Sequence, residues 1–206
     1  MECYRYLATT AAGFIQQLAV CYVKNNYWFY VTGHIREGKD AAEVDGKILG
    51  KYAIAMSKHV RHDRKVKGLA NVQYLRFERF FVIIATRGEH PFLREEQQAI
   101  RDIRETPLVF RDHAISYRGG HAHVRIERKA FRALKAYFSD IAAKRPGAAL
   151  AAEIRALPFE RYAPVRRQLA GLLREVNRVR GKAGFAPVPD ACVRTRRRVC
   201  RPFEPF

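Results

Sequence analysis

Two short runs of aromatic and β-branched residues, separated by only two residues, constrain the fold more than any other feature of the sequence. They cover residues 72–77 and 80–86, and the second run is apolar at almost every position. Residues of these types fit the pleated surface of a strand, and the short gap leaves room only for a tight turn. The pair therefore predicts a β-hairpin, and we expect its second strand, apolar on both faces, to lie inside a sheet.

Helical and strand patterns alternate along the first 145 residues. An aromatic run at 27–32 predicts another strand, and Asp40 followed by Glu43 predicts the capped start of a helix. Residues 108–126 predict further strands around a Gly-Gly pair. Apolar residues at helical spacing predict helices at 7–23, 91–103 and 130–141. This order predicts an α+β fold with a ferredoxin-like, mainly antiparallel sheet and helices on one of its faces.

The sequence changes character at residues 144–147, where a Pro-Gly pair ends the preceding helix. We therefore predict an α+β core domain at residues 1–145 and a helical, Arg-rich C-terminal extension at 146–206. One helix of the extension carries a short apolar seam with alternating steps of four and three residues. The seam consists of Val165, Leu169, Leu172, Val176 and Val179. This helix is expected to dock on the rest of the chain or to meet a partner protein.

The cysteines and the first apolar stretch bear on the compartment. No two of the four cysteines have the close spacing of a zinc site, so reduced thiols in a cytoplasmic protein are the simpler interpretation. The apolar stretch 7–23 contains Thr and Gln residues and is shorter than the roughly 20 residues that a membrane span requires. We expect a cytoplasmic protein with neither a signal peptide nor a membrane span.

The formal net charge of +19 is concentrated in two segments. Residues 58–67, predicted to form a loop, carry five basic residues against one acidic residue, and residues 166–201 carry eleven against two. Nucleic acids are abundant polyanions, and arginine can hold a phosphate through two hydrogen bonds. We therefore predict contacts to the phosphates of DNA or RNA. The predicted contact residues are Lys58, Arg61, Arg64, Lys65, Lys67, Arg174, Arg178, Arg194, Arg196, Arg197 and Arg198.

Two further observations bear on this partner. A membrane surface is not favoured, because the single tryptophan, Trp28, lies in a predicted strand rather than on a basic helix. Tyr74, Phe77 and Tyr117 each stand within two residues of an arginine. If exposed, their rings would let bases of a single strand stack on them, whereas such residues are more often part of a core.

His121 and His123 stand two residues apart on a predicted strand, so both side chains point to one face. Two neighbouring imidazoles can hold a metal ion, and Tyr137 follows on the next predicted helix. The candidates for a third metal ligand are Glu89, His90 and His113. In the pattern of His121, His123 and Tyr137 the sequence resembles the HUH single-strand endonucleases, which include tyrosine transposases and rolling-circle replication initiators.

The resemblance implies a catalytic function. In that family a divalent metal held by the two histidines polarises a phosphate, and the tyrosine attacks it to form a phosphotyrosine link. It implies that His121 and His123 ligate Mg²⁺ or Mn²⁺ and that Tyr137 is the nucleophile; apart from it, the sequence indicates no cofactor. The main hypothesis is a nucleic-acid-binding protein of a mobile-element or ribonucleoprotein system. The alternative is a metal-dependent nickase or transposase that acts on single-stranded DNA.

Overall fold

A computed structural model of the protein describes residues 4–196 and 199–203 and confirms the α+β class. The chain divides into two compact units. The first holds the described residues up to Leu108, together with Ser116–Ala122 and the described residues from Cys200 on. The second holds Val109–Ile115 and the described residues of His123–Val199. Residues 123–145 therefore cluster with the Arg-rich segment that follows them.

A four-stranded antiparallel sheet is the centre of the first unit. Its strands are β1 (Phe29–His34), β2 (Val72–Phe77), β3 (Phe80–Ala85) and β4 (Arg101–Asp102), in the order β2-β3-β1-β4. The predicted hairpin is confirmed, with Phe77 opposite Phe80, and β3 is central because β1 pairs with its other edge. The ferredoxin-like arrangement stays a finer prediction, since β4 is only two residues long.

Four helical segments belong to the first unit. They are α1 (Ala11–Gln16, continued as a π-helix over Gln17–Tyr22 and a 3-10 turn over Val23–Asn25), α2 (Ala41–Lys51), α3 (Lys58–Val66) and α4 (Pro91–Glu95). Asp40 caps α2 as predicted, because its carboxylate accepts a hydrogen bond from the Ala42 amide at 2.9 Å. The helix predicted at 91–103 is wrong beyond Glu95, since Arg101–Asp102 adds the edge strand β4 to the sheet instead.

Helices cover both faces of this sheet rather than the one face predicted. Phe14 of α1 packs against Phe77 on one face. Tyr52, just after α2, and Phe92 of α4 belong to the core cluster around Tyr74 on the other. Successive side chains of a strand point to opposite faces, so both Tyr74 and Phe77 are buried. The core interpretation of these two rings is therefore confirmed, and neither can serve as an exposed stacking surface.

The basic segment at 58–67 is a helix, so the predicted loop is wrong. Ser57 Oγ accepts a hydrogen bond from the Val60 amide at 3.3 Å and thereby caps α3. No side chain of α3 is buried, and this lack of an apolar stripe is why the sequence pattern favoured a loop. Contacts through polar groups hold the helix instead, because Asn71 Nδ2 donates to the Arg61 carbonyl at 2.8 Å.

The strands after Leu108 form a second sheet in the order β5 (Leu108–Phe110), β6 (His113–Arg118) and β7 (His121–Ile126). The described residues of the second unit form three α-helices, α5 (Arg128–Ile141), α6 (Gly147–Ala156) and α7 (Ala163–Lys182), and a 3-10 turn over Asp190–Cys192. None of the helices in the described ranges is long and apolar enough to cross a membrane.

The predicted seam of α7 is internal to the second unit. Val165, Leu169, Leu172 and Val176 are fully buried, and Val179 packs against the same core. Phe138 of α5 and Leu150 of α6 belong to that core cluster. A partner protein that binds α7 would therefore have to use another face of the helix.

Candidate nucleic-acid interface

One face of α3 lines a cleft in the first unit. Lys58, Arg61, His62 and Lys65 follow one another at steps of three, one and three residues, which places them on the same side of the helix. Arg61 is half-buried and Nη1 donates to the Met56 carbonyl at 2.5 Å. The cleft encloses about 390 Å³. A helix that buries no side chain thus places its cations where a ligand can reach them.

The rest of the cleft lining comes from the segment that leads into β1 and from residues next to the ends of β2 and β3. Tyr27 and Trp28 contribute two half-buried rings, Asn71 and Thr86 contribute polar groups, and Arg87 adds an exposed cation. Among the described residues that line the cleft there is no Asp or Glu. The cleft is therefore uniformly electropositive, with aromatic side chains in its wall. We call this site, formed by α3, Tyr27, Trp28, Asn71, Thr86 and Arg87, the basic cleft.

The ring of Trp28 has a fixed position. The Arg104 guanidinium lies over it, 4.3 Å from the ring, and the ring of Tyr117 lies at 5.3 Å. Arg104 is held in turn by a two-pronged ion pair with Asp102, at 2.9 Å from Nε and 2.5 Å from Nη2. The hydrogen bonds from Arg104 hold the pKa of the Asp102 carboxyl below its ordinary value, so this carboxylate stays charged.

Two buried polar atoms in the wall of the basic cleft lack partners. Within residues 4–196 and 199–203, neither Trp28 Nε1 nor Asn71 Oδ1 takes part in a hydrogen bond. Trp28 Nε1 can only donate and Asn71 Oδ1 can only accept. Most buried polar groups in proteins are paired, so an unpaired donor and an unpaired acceptor beside one cleft distinguish it from an ordinary surface hollow.

Of the five basic residues predicted in segment 58–67, the cleft brings together Lys58, Arg61 and Lys65. Arg64 lies on another side of α3, where its guanidinium donates to the Ala70 carbonyl at 2.9 and 3.3 Å. Lys67 is exposed and does not line the cleft. Lys58, Arg61 and Lys65 therefore line the cleft, whereas Arg64 and Lys67 do not. The predicted loop gave no reason to separate these two groups of residues.

The basic residues of the C-terminal segment have several roles. Arg174 lines a groove of the second unit together with Arg166 and Arg167, whereas Arg178 forms a two-pronged pair with Glu175 at 2.8 and 2.9 Å. The buried Arg180 is structural, because it donates to the carbonyls of Ala142, Arg145 and Ala186. Arg194 and Arg196 are exposed, and Arg197 and Arg198 lie outside the described residues.

The candidate third ligands of the predicted metal site include two histidines with structural roles. His90 Nδ1 accepts a hydrogen bond from the Phe92 amide at 3.1 Å at the start of α4. His113 Nε2 accepts one from the Glu160 amide at 3.3 Å, and burial lowers the pKa of His113. In the described part of the chain, no three His, Cys, Asp or Glu side chains come close enough to hold a metal ion.

The predicted nucleophile, Tyr137, makes a specific contact on the surface of the second unit. Its hydroxyl donates to Glu153 Oε1 at 2.5 Å, and this bond raises the pKa of Tyr137. A raised pKa makes the phenolate, the attacking form, harder to reach. His121 is exposed and His123 is half-buried. The arrangement around Tyr137 therefore gives no support to the predicted catalytic site.

Sequence reasoning missed six of the residues that define the basic cleft: Tyr27, Trp28, His62, Asn71, Thr86 and Arg87. The helical spacing of Lys58, Arg61, His62 and Lys65 was a signal that could have identified the face of α3. No local pattern could have indicated that Arg87 would line the same cleft as this helix, since the sheet brings them together.

The sequence matches no model of a protein family, and no curated protein is significantly similar to it.

Proposed function

We propose that the protein binds nucleic acid and that the basic cleft is its principal phosphate-contacting surface. The observation that carries this proposal is the convergence of Lys58, Arg61, Lys65 and Arg87 on one cleft whose described lining contains no carboxylate. Four cations in one small cavity repel one another, and a polyanionic ligand relieves this repulsion.

Three of the four cations of the cleft are exposed and available to a ligand. Lys58, Lys65 and Arg87 are exposed, and none of them forms an ion pair with a residue in the described ranges. Lys58 and Lys65 lie seven residues apart on α3, which corresponds to about 10 Å along the helix axis. Successive phosphates of one strand can occupy both positions at once, and this favours a polymer over a small anion.

The C-terminal segment supplies a second set of cations in this proposal. Arg174, Arg194 and Arg196 are exposed and would add contacts to phosphates that do not depend on sequence. A cytoplasmic location and a place in a mobile-element or ribonucleoprotein system remain part of the proposal.

The test is the salt dependence of affinity for oligonucleotides in the wild type and in a double variant, Lys58→Ala with Lys65→Ala. Each neutralised phosphate contributes a slope of about −0.7 to the logarithmic plot of affinity against salt for single strands, and about −0.9 for duplex DNA. Loss of two contacts should therefore make the slope shallower by about 1.4 on a single strand. Affinity should fall for all sequences alike.

A matched control is Lys39→Ala with Lys67→Ala, which removes the same net charge from two exposed lysines outside the basic cleft. This control should retain most of the affinity and the slope. Equal losses in the two double variants would show that overall charge, rather than the cleft, attracts the ligand. Binding that is insensitive to salt, or no binding to any DNA or RNA, would overturn the proposal.

A further inference from the structure

We infer that the basic cleft takes one unstacked nucleotide, so that its ligand is single-stranded nucleic acid rather than a duplex. This inference rests on the proposed function and specifies the form of nucleic acid. The observation behind it is that the residues lining the cleft differ in how deeply they are buried. The cations Lys58, Lys65 and Arg87 are exposed, whereas Trp28 is half-buried and Asn71 is buried.

The exposed cations and the more deeply buried Trp28 and Asn71 correspond to the two ends of a nucleotide, its charged phosphate and its base. Phosphates carry the charge and would stay with the exposed cations, while the flatter and less polar base would occupy the space between α3 and Trp28. In a duplex the bases are stacked and paired, and taking one out of the stack costs free energy. A single strand pays little of that cost, so a cleft that holds a base favours the single-stranded form.

Two residues that line the cleft each carry a polar atom that a base could pair with, one a donor and the other an acceptor. Trp28 Nε1 and Asn71 Oδ1 are buried and have no partner among the described residues. The pairing edge of every standard base carries at least one donor and at least one acceptor. A base that reaches these two atoms would satisfy groups that the protein itself leaves unpaired, which an isolated phosphate or a sugar-phosphate backbone would do less well.

The indole is also held in place before the ligand arrives. Arg104 lies over the Trp28 ring and is itself fixed by Asp102, while Tyr117 packs at 5.3 Å. A side chain that is already ordered loses little conformational freedom on binding. The base is therefore expected to meet the edge of the indole, since Arg104 occupies a face of the ring.

Trp28 is the only tryptophan of the chain, so its fluorescence reports on the basic cleft directly. The experiment titrates the full-length protein with four ligands of equal length: a DNA strand, an RNA strand, the matching DNA duplex and an abasic single strand. We expect a change in Trp28 emission on saturation with at least one of the two intact strands. The duplex and the abasic strand should bind roughly tenfold more weakly, without that change.

A variant of Trp28 tests the contact between the base and the indole N–H by a method that does not use tryptophan fluorescence. Trp28→Phe keeps an aromatic ring but removes the indole N–H, and its binding is followed by the anisotropy of a labelled strand. We expect several-fold weaker binding of the intact strand and unchanged binding of the abasic strand, with circular dichroism confirming that the variant is folded. If that variant does not fold, Lys58→Ala with Lys65→Ala, which leaves Trp28 in place, should abolish the emission change at the same ligand concentrations.

The outcomes separate the two proposals. Salt-dependent binding in which the duplex is bound as tightly as the single strand, or in which saturation leaves Trp28 emission unchanged, overturns the inference and leaves the proposed function standing. Equal effects of Trp28→Phe on intact and abasic strands also overturn it. Absence of binding to all four ligands overturns the proposed function itself.

Discussion

Replacing Asp45 with alanine should lower the free energy of unfolding of the first unit by about 3 to 5 kcal/mol. Asp45 lies on α2 and is fully buried. Its carboxylate accepts hydrogen bonds from Arg76 Nε at 2.9 Å and Nη2 at 2.8 Å, and from the Tyr74 hydroxyl at 2.6 Å. Alanine would leave the guanidinium of Arg76 buried on β2 without its counter-charge.

The size of this loss in unfolding free energy follows from the unpaired groups that Asp45→Ala leaves in the core. Removing one partner of a buried pair costs more than the pair contributes, because the other charge stays desolvated and uncompensated. The Tyr74 hydroxyl would also lose its acceptor, which adds about 1 kcal/mol. The double substitution Asp45→Leu with Arg76→Met removes both charges and should recover most of the loss.

The assay is urea denaturation followed by Trp28 fluorescence, which reports on the first unit because Trp28 lies within it. The control is Glu43→Ala on the same helix. Glu43 forms an exposed pair with Lys47, four residues along the helix, and exposed pairs with this spacing contribute about 0.3 to 0.5 kcal/mol. A loss for Asp45→Ala no larger than that for Glu43→Ala would refute the reasoning, as would a double variant no more stable than Asp45→Ala.

Two further predictions concern the second unit. The free energy of unfolding should fall as pH drops below about 6.5, the ordinary pKa of histidine, because burial lowers the pKa of His113 and the unfolded chain takes up the proton first. Hydrogen exchange of the second unit should show this loss in the wild type and a weaker one in His113→Gln, and an unchanged pH dependence in the variant would contradict it. Incubation with single-stranded DNA and Mn²⁺ should give no covalent adduct, because the Glu153 hydrogen bond disfavours the Tyr137 phenolate. An adduct that disappears in Tyr137→Phe would restore the nickase hypothesis.

Sequence patterns predicted correctly those strands and helices that are determined by residues close together in the chain. The hairpin follows from two β-prone runs and a two-residue turn, and the start of α2 follows from the Asp40 cap. The same reasoning failed for α3 and for the second half of the helix predicted at 91–103. A helix without an apolar stripe gives no signal to a search based on hydrophobic periodicity. An edge strand of two residues gives none either, because its pairing partner β1 is distant in the sequence.

The candidate site was predictable only in part, for the same reason. Clustering of charge identified Lys58, Arg61 and Lys65, since abundance and spacing can be read from the chain. Charge clustering could not separate these three residues from Arg64, whose guanidinium donates to the Ala70 carbonyl. Nor could it separate them from Arg180, which is buried and donates to backbone carbonyls. Whether a cation faces solvent, a carboxylate or a carbonyl depends on what the fold brings beside it.

The sequence by itself determined the α+β class, the central hairpin and the excess of positive charge, because each depends on residue type and spacing over a few positions. The tertiary structure alone decided that α3, Trp28 and Arg87 line one cleft, and so created an electropositive site with aromatic side chains in its wall. That juxtaposition joins residues up to about sixty positions apart through the pairing of β1, β2 and β3. Long-range strand pairing has no local sequence signature, which is why the site emerged only once the sheet was known.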